Sequence, residues 1–335
     1  MNIIPLSFLL VSHQAGAIKV TPSKTLDGLH VVSIAPAPVG SRIVVGLEDG
    51  SVRIMDAATK STIRPLTKHL QPCYAVSWSP DGRFIATGDE TARIFIEDAS
   101  TGKKIREYRT HTKGIQKLSF NVTSKLLAST GKDDQVNVYN LTSPKPKEAR
   151  VILGKGMNFY GATFNPTSAN LVSVGMLGGG VRVYDAFTGS VKSFYTDKDG
   201  QGIFDMCFNS SGSRAVSSGR DGNAIVWDTV KCAKVLSLKG HSDWVVNGAV
   251  SPNGKLVATS SSDRTVRIWN LYSGQTVAKL DGEMGVGSPL AFTVDGASLV
   301  SVNDAGDIQF NSVSPAQAGS EPTAKPAKKK RRRRG

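Results

Sequence analysis

Residues 240–270 read GHSDWVVNGAVSPNGKLVATSSSDRTVRIWN. Short apolar runs alternate here with sharp turns. The first run ends at Ser251-Pro252-Asn253-Gly254, and the second is Leu256-Val257-Ala258-Thr259. A tight acidic turn around Asp263 leads into a third run that ends at Trp269-Asn270, and Ser273-Gly274 opens a fourth. Asn-Gly and Asp-containing turns accept positive φ, and alternating runs of this length suit strands with one face buried. The segment therefore predicts a four-stranded antiparallel unit.

The unit repeats. Gly-Leu-Glu-Asp-Gly-Ser-Val-Arg-Ile-Met-Asp ends at Asp56, and Gly-Arg-Asp-Gly-Asn-Ala-Ile-Val-Trp-Asp ends at Asp228. Weaker copies end at Asp98, Asn140, Asp185 and Asn311. From Asp56 onward the intervals are 42, 42, 45, 43, 42 and 41 residues. A beat of roughly 40–45 residues with four short strands is that of a propeller blade. Ser79-Pro80-Asp81-Gly82 and Thr101-Gly102 repeat the turn chemistry in another copy.

These endings, with Gly240-His241 before a first strand, resemble the WD-repeat family over about residues 27–312. The resemblance implies an all-β, seven-bladed β-propeller closed by N- and C-terminal strands, with eight blades as the alternative. It also implies a structural tetrad in blade 6: His241, Thr259, Asp263 and Trp269. There a buried imidazole would bridge the turn carboxylate to a strand hydroxyl and an indole N–H, leaving no polar group unpaired. Blades 2 and 3 keep His69 and His111 without the preceding Gly. Blade 3 has Ser129 and Asp133 but Tyr139 in place of Trp. Blade 5 keeps Asp221 and Trp227 without a His, and Phe95-Ile96-Glu97-Asp98 in blade 2 departs from the pattern.

The ring needs a fourth strand for its last blade, and Ile18–Leu26 is the natural donor, since unpaired edges invite aggregation. Residues 1–26 have a second reading. Phe8–Ser12 and Gly16–Val20 form a further hairpin in the strand reading. Alternatively, 1–17 is a secretory signal ending at Ala15-Gly16-Ala17. No Lys or Arg precedes the apolar run, and Pro5 and His13 interrupt it; the strand reading is preferred. The expected organisation is a propeller over 1–312 and a disordered Lys/Arg-rich tail over 313–335.

The chain carries a net charge of +14 over 335 residues. Half of that lies in the tail, where Lys325, Lys328, Lys329, Lys330, Arg331, Arg332, Arg333 and Arg334 face one acid, Glu321. Such a block, low in apolar area, is expected to stay disordered and to bind polyanions in a salt-dependent way. It resembles a nuclear import signal or an RNA-contact arm; the other reading is a solvating segment.

Motifs for other chemistry are missing. Cys73, Cys207 and Cys232 are too few and too widely spaced for a disulfide framework or zinc site. Gly178-Gly179-Gly180 lacks the Lys and Ser/Thr of a phosphate loop, and no nucleophile elbow occurs. His241, Asp263 and Ser261 superficially suggest a catalytic triad, but the family geometry makes His241 and Asp263 structural. The expectation is a non-catalytic scaffold without cofactor or metal, a monomeric ring holding protein partners in a larger complex. It would be intracellular, cytoplasmic or nuclear, with no membrane attachment. A nuclear ribonucleoprotein role through the tail and an exported propeller are the alternatives.

Partners are expected at the rim around the channel, on the loops entering first strands and the turns after second strands. Those segments hold Asp243, Trp244, Tyr74, Phe159, Tyr160, Lys132, Arg220 and Arg264. Aromatic and Arg side chains are the types that dominate binding hot spots; the competing reading of Tyr74 and Tyr160 is as core strand residues.

Overall fold

The computed structural model describes residues 18–26, 28–143, 149–153, 159–176, 178–196, 201–281 and 288–315. They form seven four-stranded antiparallel sheets. In blade 6 the strands are Val245–Val250, Leu256–Ser261, Thr265–Asn270 and Thr276–Asp281, running outward from the channel. Blades 1 to 5 repeat the plan over 31–65, 75–108, 115–153, 159–196 and 203–239. The first strands stand side by side around the axis, and that of blade 7 lies against that of blade 1. The expected seven-bladed propeller is borne out.

Period-2 alternation explains the stacking. Successive strand residues point to opposite faces, so every blade feeds two different cores. Leu127 packs toward blade 2, while its neighbours Leu126 and Ala128 pack toward blade 4. Val257 joins the blade 5 side, and Leu256 and Ala258 join the blade 7 side. Seven buried clusters result, one per blade junction.

The recurring turn residues have local causes. Ser251 Oγ accepts the Leu256 N–H at 2.9 Å, and Gly254 takes a φ of +67° that an L side chain rarely adopts. At the end of the third strand in blades 1 to 6 an Asp or Asn folds its carboxyl or amide oxygen back on the chain. Asp98 Oδ1 accepts the N–H groups of Ser100 and Thr101 at 2.9 and 2.8 Å; Asn270 Oδ1 does the same for Tyr272 and Ser273. This Asx turn is why the repeat ends in Asp or Asn.

The seventh ending needs correction. Ser312, not Asn311, pairs with the first residue of the second strand, as Asn270 does in blade 6. Asn311 pairs with Leu299 and so occupies the Trp position. Its Nδ2 donates to Ser301 Oγ at 3.0 Å, as an indole would. A polar residue reproducing the indole's bond hides the true end of the repeat.

Closure follows the expected exchange. Blade 7 takes Leu290–Phe292, Ser298–Val302 and Ile308–Pro315 from the C-terminal side and Ile18–Leu26 from the N-terminal side. Ile18 pairs with Pro315 and Leu26 with Ile308, with one register shift between Pro22 and Lys24. The closing strand carries pairing past residue 312, the expected end of the ring. Residues 1–17, on which the signal and extra-hairpin readings fall, and 316–335, which hold the cationic block, lie outside the described residues.

Deleting residues 18–26 would bare the edge of Ile308–Pro315. We expect a lowered thermal midpoint and concentration-dependent light scattering; unchanged values for both would show that the closing strand does not hold the ring.

Candidate functional site

The polar tetrad of blade 6 is a directed chain of hydrogen bonds. Trp269 Nε1 donates to Thr259 Oγ1 at 2.8 Å, and that hydroxyl lies 2.8 Å from His241 Nε2. His241 Nδ1 lies 2.9 Å from Asp263 Oδ2. The ionised Asp263 carboxylate can only accept, so Nδ1 carries the imidazole proton, and the Thr259 hydroxyl, which accepts from the indole, gives its own proton to Nε2. One tautomer satisfies every member. Burial holds the His241 pKa below its ordinary value, while hydrogen bonds from Thr265, His241 and the Ser242 N–H bring Asp263 down to about 2 despite its burial. Ser261 does not complete a triad: its hydroxyl donates to the Asp243 carbonyl at 3.0 Å.

Blades 2 and 3 build more of this device than their sequences suggest. His111 bridges Asp133 at 2.9 Å and Ser129 at 2.6 Å, and the Tyr139 hydroxyl reaches Thr110 at 2.6 Å. His69 bridges Asp89 at 3.0 Å and Thr87 at 2.7 Å. Blade 2's irregular third strand places Glu97 opposite Ile85, the Trp position, while Phe95 stacks on His69 at 4.2 Å. Glu97 is fully buried. Its Oε1 accepts the Thr67 N–H at 2.7 Å, and its Oε2 has no hydrogen-bond partner among the described residues. Burial raises its pKa. In blade 5, Trp227 Nε1 donates to Ser217 Oγ at 2.9 Å without an imidazole.

A concavity of about 520 Å³ opens into the channel. Its lining follows from a recurrent backbone irregularity. The pairing of first and second strands slips between Val31 and Ser33, Ile115 and Lys117, Ile203 and Asp205, and Val245 and Asn247. A bulge re-aims the extra side chain. Val32, Gln116, Phe204 and Val246, the residues inside those slips, all line the channel.

At the mouth, Trp244 is 40% exposed. Arg220 lies over its ring at 4.7 Å, and Phe204 packs against it at 5.6 Å. Tyr160 meets the other side of Phe204 at 5.2 Å. Asp243 Oδ1 accepts the Trp244 N–H at 2.7 Å, which fixes the loop. Across the mouth, Lys132 Nζ sits 5.4 Å above Tyr74 and 2.8 Å from Glu90. Trp244, Tyr160, Tyr74 and Lys132 thus line one concavity, with Arg220 on Trp244. Arg264 stands apart from that lining, 3.6 Å from Asp304. Phe159 begins the first strand of blade 4. Phe204 is unmarked in the sequence: its place at the rim depends on the slip between Ile203 and Asp205, which no residue type signals. Deeper in the channel, Lys117 of blade 3 donates to Asp205 of blade 5 and to the Met206 carbonyl at 3.0 Å. The described residues hold no cluster of three or more metal-ligating side chains, and no helix among them is long and apolar enough to cross a membrane.

The WD domain, G-beta repeat family model matches residues 189–228 and 231–270, and the second span contains the whole blade 6 tetrad. The chain is a WD-repeat β-propeller. The anaphase-promoting complex subunit 4 WD40 domain model also matches this WD-repeat chain, over residues 67–123. It is similar to WD repeat-containing protein srw1 of Schizosaccharomyces pombe, 25% identical over 73% of this chain and 44% of the relative. APC/C activator protein CDH1 of Saccharomyces cerevisiae is 27% identical over 76% of this chain and 46% of its own length. Chromatin assembly factor 1 subunit FAS2 homolog of Oryza sativa subsp. japonica is 28% identical over 45% of this chain and 32% of its own. The propeller spans about half or less of the length of the curated relatives it matches.

Two substitutions test this polar core. Trp269→Phe removes the donor to Thr259 and leaves unfilled volume; it should cost about 2 kcal/mol in urea unfolding. Glu97→Gln probes the buried carboxyl. Its folded pKa is raised, so its contribution to stability is fullest at acid pH and is lost as pH rises through the folded value. Glu97→Gln should therefore melt above the parent at pH 8 and converge with it toward pH 4; a constant difference across that range would refute the assignment.

Proposed function

We propose that this propeller is a non-catalytic scaffold that holds a protein partner of a multiprotein complex at its channel mouth. The observation that carries the reading is Trp244, a large aromatic left 40% exposed at the rim of the concavity, with Arg220 stacked on it and Phe204 beneath. An aromatic anchor held in place at low entropic cost, with a cation beside it, is the usual make-up of a hot spot. The polar tetrads support the same reading: their imidazoles are committed to hydrogen bonds inside the blades. Relatives named as an APC/C activator, a chromatin assembly factor subunit and a translation initiation factor subunit are named as parts of assemblies. An intracellular site of action, cytoplasmic or nuclear, fits that company.

The test is quantitative affinity purification of the tagged chain beside Trp244→Ala and Arg220→Glu. We expect at least roughly tenfold lower recovery of one or more specific partners, with an unchanged melting midpoint. Equal recovery from both variants would remove the channel mouth as the binding site.

A further inference from the structure

The opposite end of the disc, where third strands turn into fourth strands, carries an asymmetry. The Asx turns fix equivalent positions there, because in each of blades 1 to 6 the Asp or Asn accepts the N–H two residues on. Those residues are Ala58, Ser100 and Thr142 in blades 1 to 3. In blades 4, 5 and 6 they are Phe187, Val230 and Tyr272. These three are 54%, 82% and 62% exposed. Single exposed apolar residues are ordinary on a protein surface. Three large ones at one register position in three consecutive blades are a pattern, and the backbone of each is pinned by a hydrogen bond of 2.9–3.1 Å.

The tips are joined into one edge. Cys232, beside Val230, packs into the cluster that holds Tyr195 of blade 4's outer strand. A Cβ at Gly274, beside Tyr272, would stand 3.2 Å from Leu236 Cδ1 on blade 5's outer strand. Between the turns the outer strands expose Val191, Phe194 and Val235.

Charge gives this edge a sign. The turns and strand ends of blades 4 to 6 at this end of the disc carry exposed Lys192, Lys231 and Lys255. The acids there are Asp185 and Asp228. Asp185 takes hydrogen bonds from Asn170 and the N–H groups of Phe187 and Thr188. Asp228 is held by Arg214 at 2.7 Å and by the N–H groups of Val230 and Lys231. Their carboxylates are spent inside the turns, and the lysines set the outward potential.

We propose that this edge is a second docking surface, taking an acidic segment of a protein partner whose apolar side chains cover Phe187, Val230 and Tyr272. The apolar tips supply burial area, and the lysines select against basic or neutral segments and steer acidic ones by their field. A platform with a channel mouth at one end and this edge at the other holds two partners at once. The edge does not depend on the channel-mouth reading.

The test pans a random peptide library against the immobilised full chain and against a Phe187→Ser, Val230→Ser, Tyr272→Ser variant. All three positions are exposed, so the fold should persist; if the triple variant melts early, Lys231→Glu with Lys255→Glu replaces it. The proposal expects peptides rich in Asp and Glu interleaved with Leu, Phe or Trp. Their affinity should fall at least roughly tenfold in the edge variant and stay unchanged in Trp244→Ala. Recovery of no edge-dependent peptide, or of basic ones, overturns it. Edge-dependent sedimentation with phosphatidylcholine–phosphatidylserine vesicles, without such peptides, would also overturn it in favour of a membrane contact.

Discussion

The second and third strands of each blade have two apolar faces that belong to two different cores. Ile43 and Val45 pack toward blade 7, and Val44, between them, packs toward blade 2. No blade can bury both of its faces by itself, and a linear stack would leave one face bare at each end. A closed circle is the arrangement with no bare face. The pairing of Ile18–Leu26 with Ile308–Pro315 supplies it, and all seven junction clusters rest on that pairing.

Within this frame the polar tetrads tie the loop before a blade's first strand to its second and third strands. A His reaching from the loop before the first strand to the turn after the second ties the two ends of a blade's hairpin together. Blades 2, 3 and 6 have that tie, and blade 5 keeps only the indole-to-serine half. The substitutions at the Trp position are instructive. Tyr139 and Asn311 still offer a donor to the second strand. Glu97 turns away to the Thr67 N–H and leaves one oxygen unsatisfied, so blade 2 keeps its imidazole bridge without the indole.

The architecture is legible in the sequence because it rests on local rules. Asx turns, Gly at positive φ and two-residue alternation all leave letters at fixed spacing, and the need to cover one edge is enough to place the closing strand at Ile18–Leu26. The seventh ending shifts by one residue because Asn311 resembles a terminating Asn while acting as an indole substitute. The channel is harder to read. Whether a first-strand residue faces a blade or the axis depends on a one-residue slip in pairing, and no residue type marks that slip. Trp244 and Tyr160 stand out through their loops, whereas Phe204, deep in a run of strand letters, does not. The Lys117–Asp205 contact joins residues 88 positions apart on blades that are not neighbours, a distance no periodicity encodes.

That ion pair forms part of the wall of the concavity. Lys117 and Asp205 retain 26% and 11% of their side-chain exposure, and each is already spoken for: the lysine also holds the Met206 carbonyl, and the carboxylate faces the Gly248 N–H. They cross-link blades 3 and 5 within the concavity, with their opposite charges paired. A polar group brought beside them would compete with contacts already made for compensation of its own lost water. If a partner docks at the mouth as proposed, short, blunt side chains pressed against Trp244 and Tyr160 would fit the concavity better than long ones threading the axis.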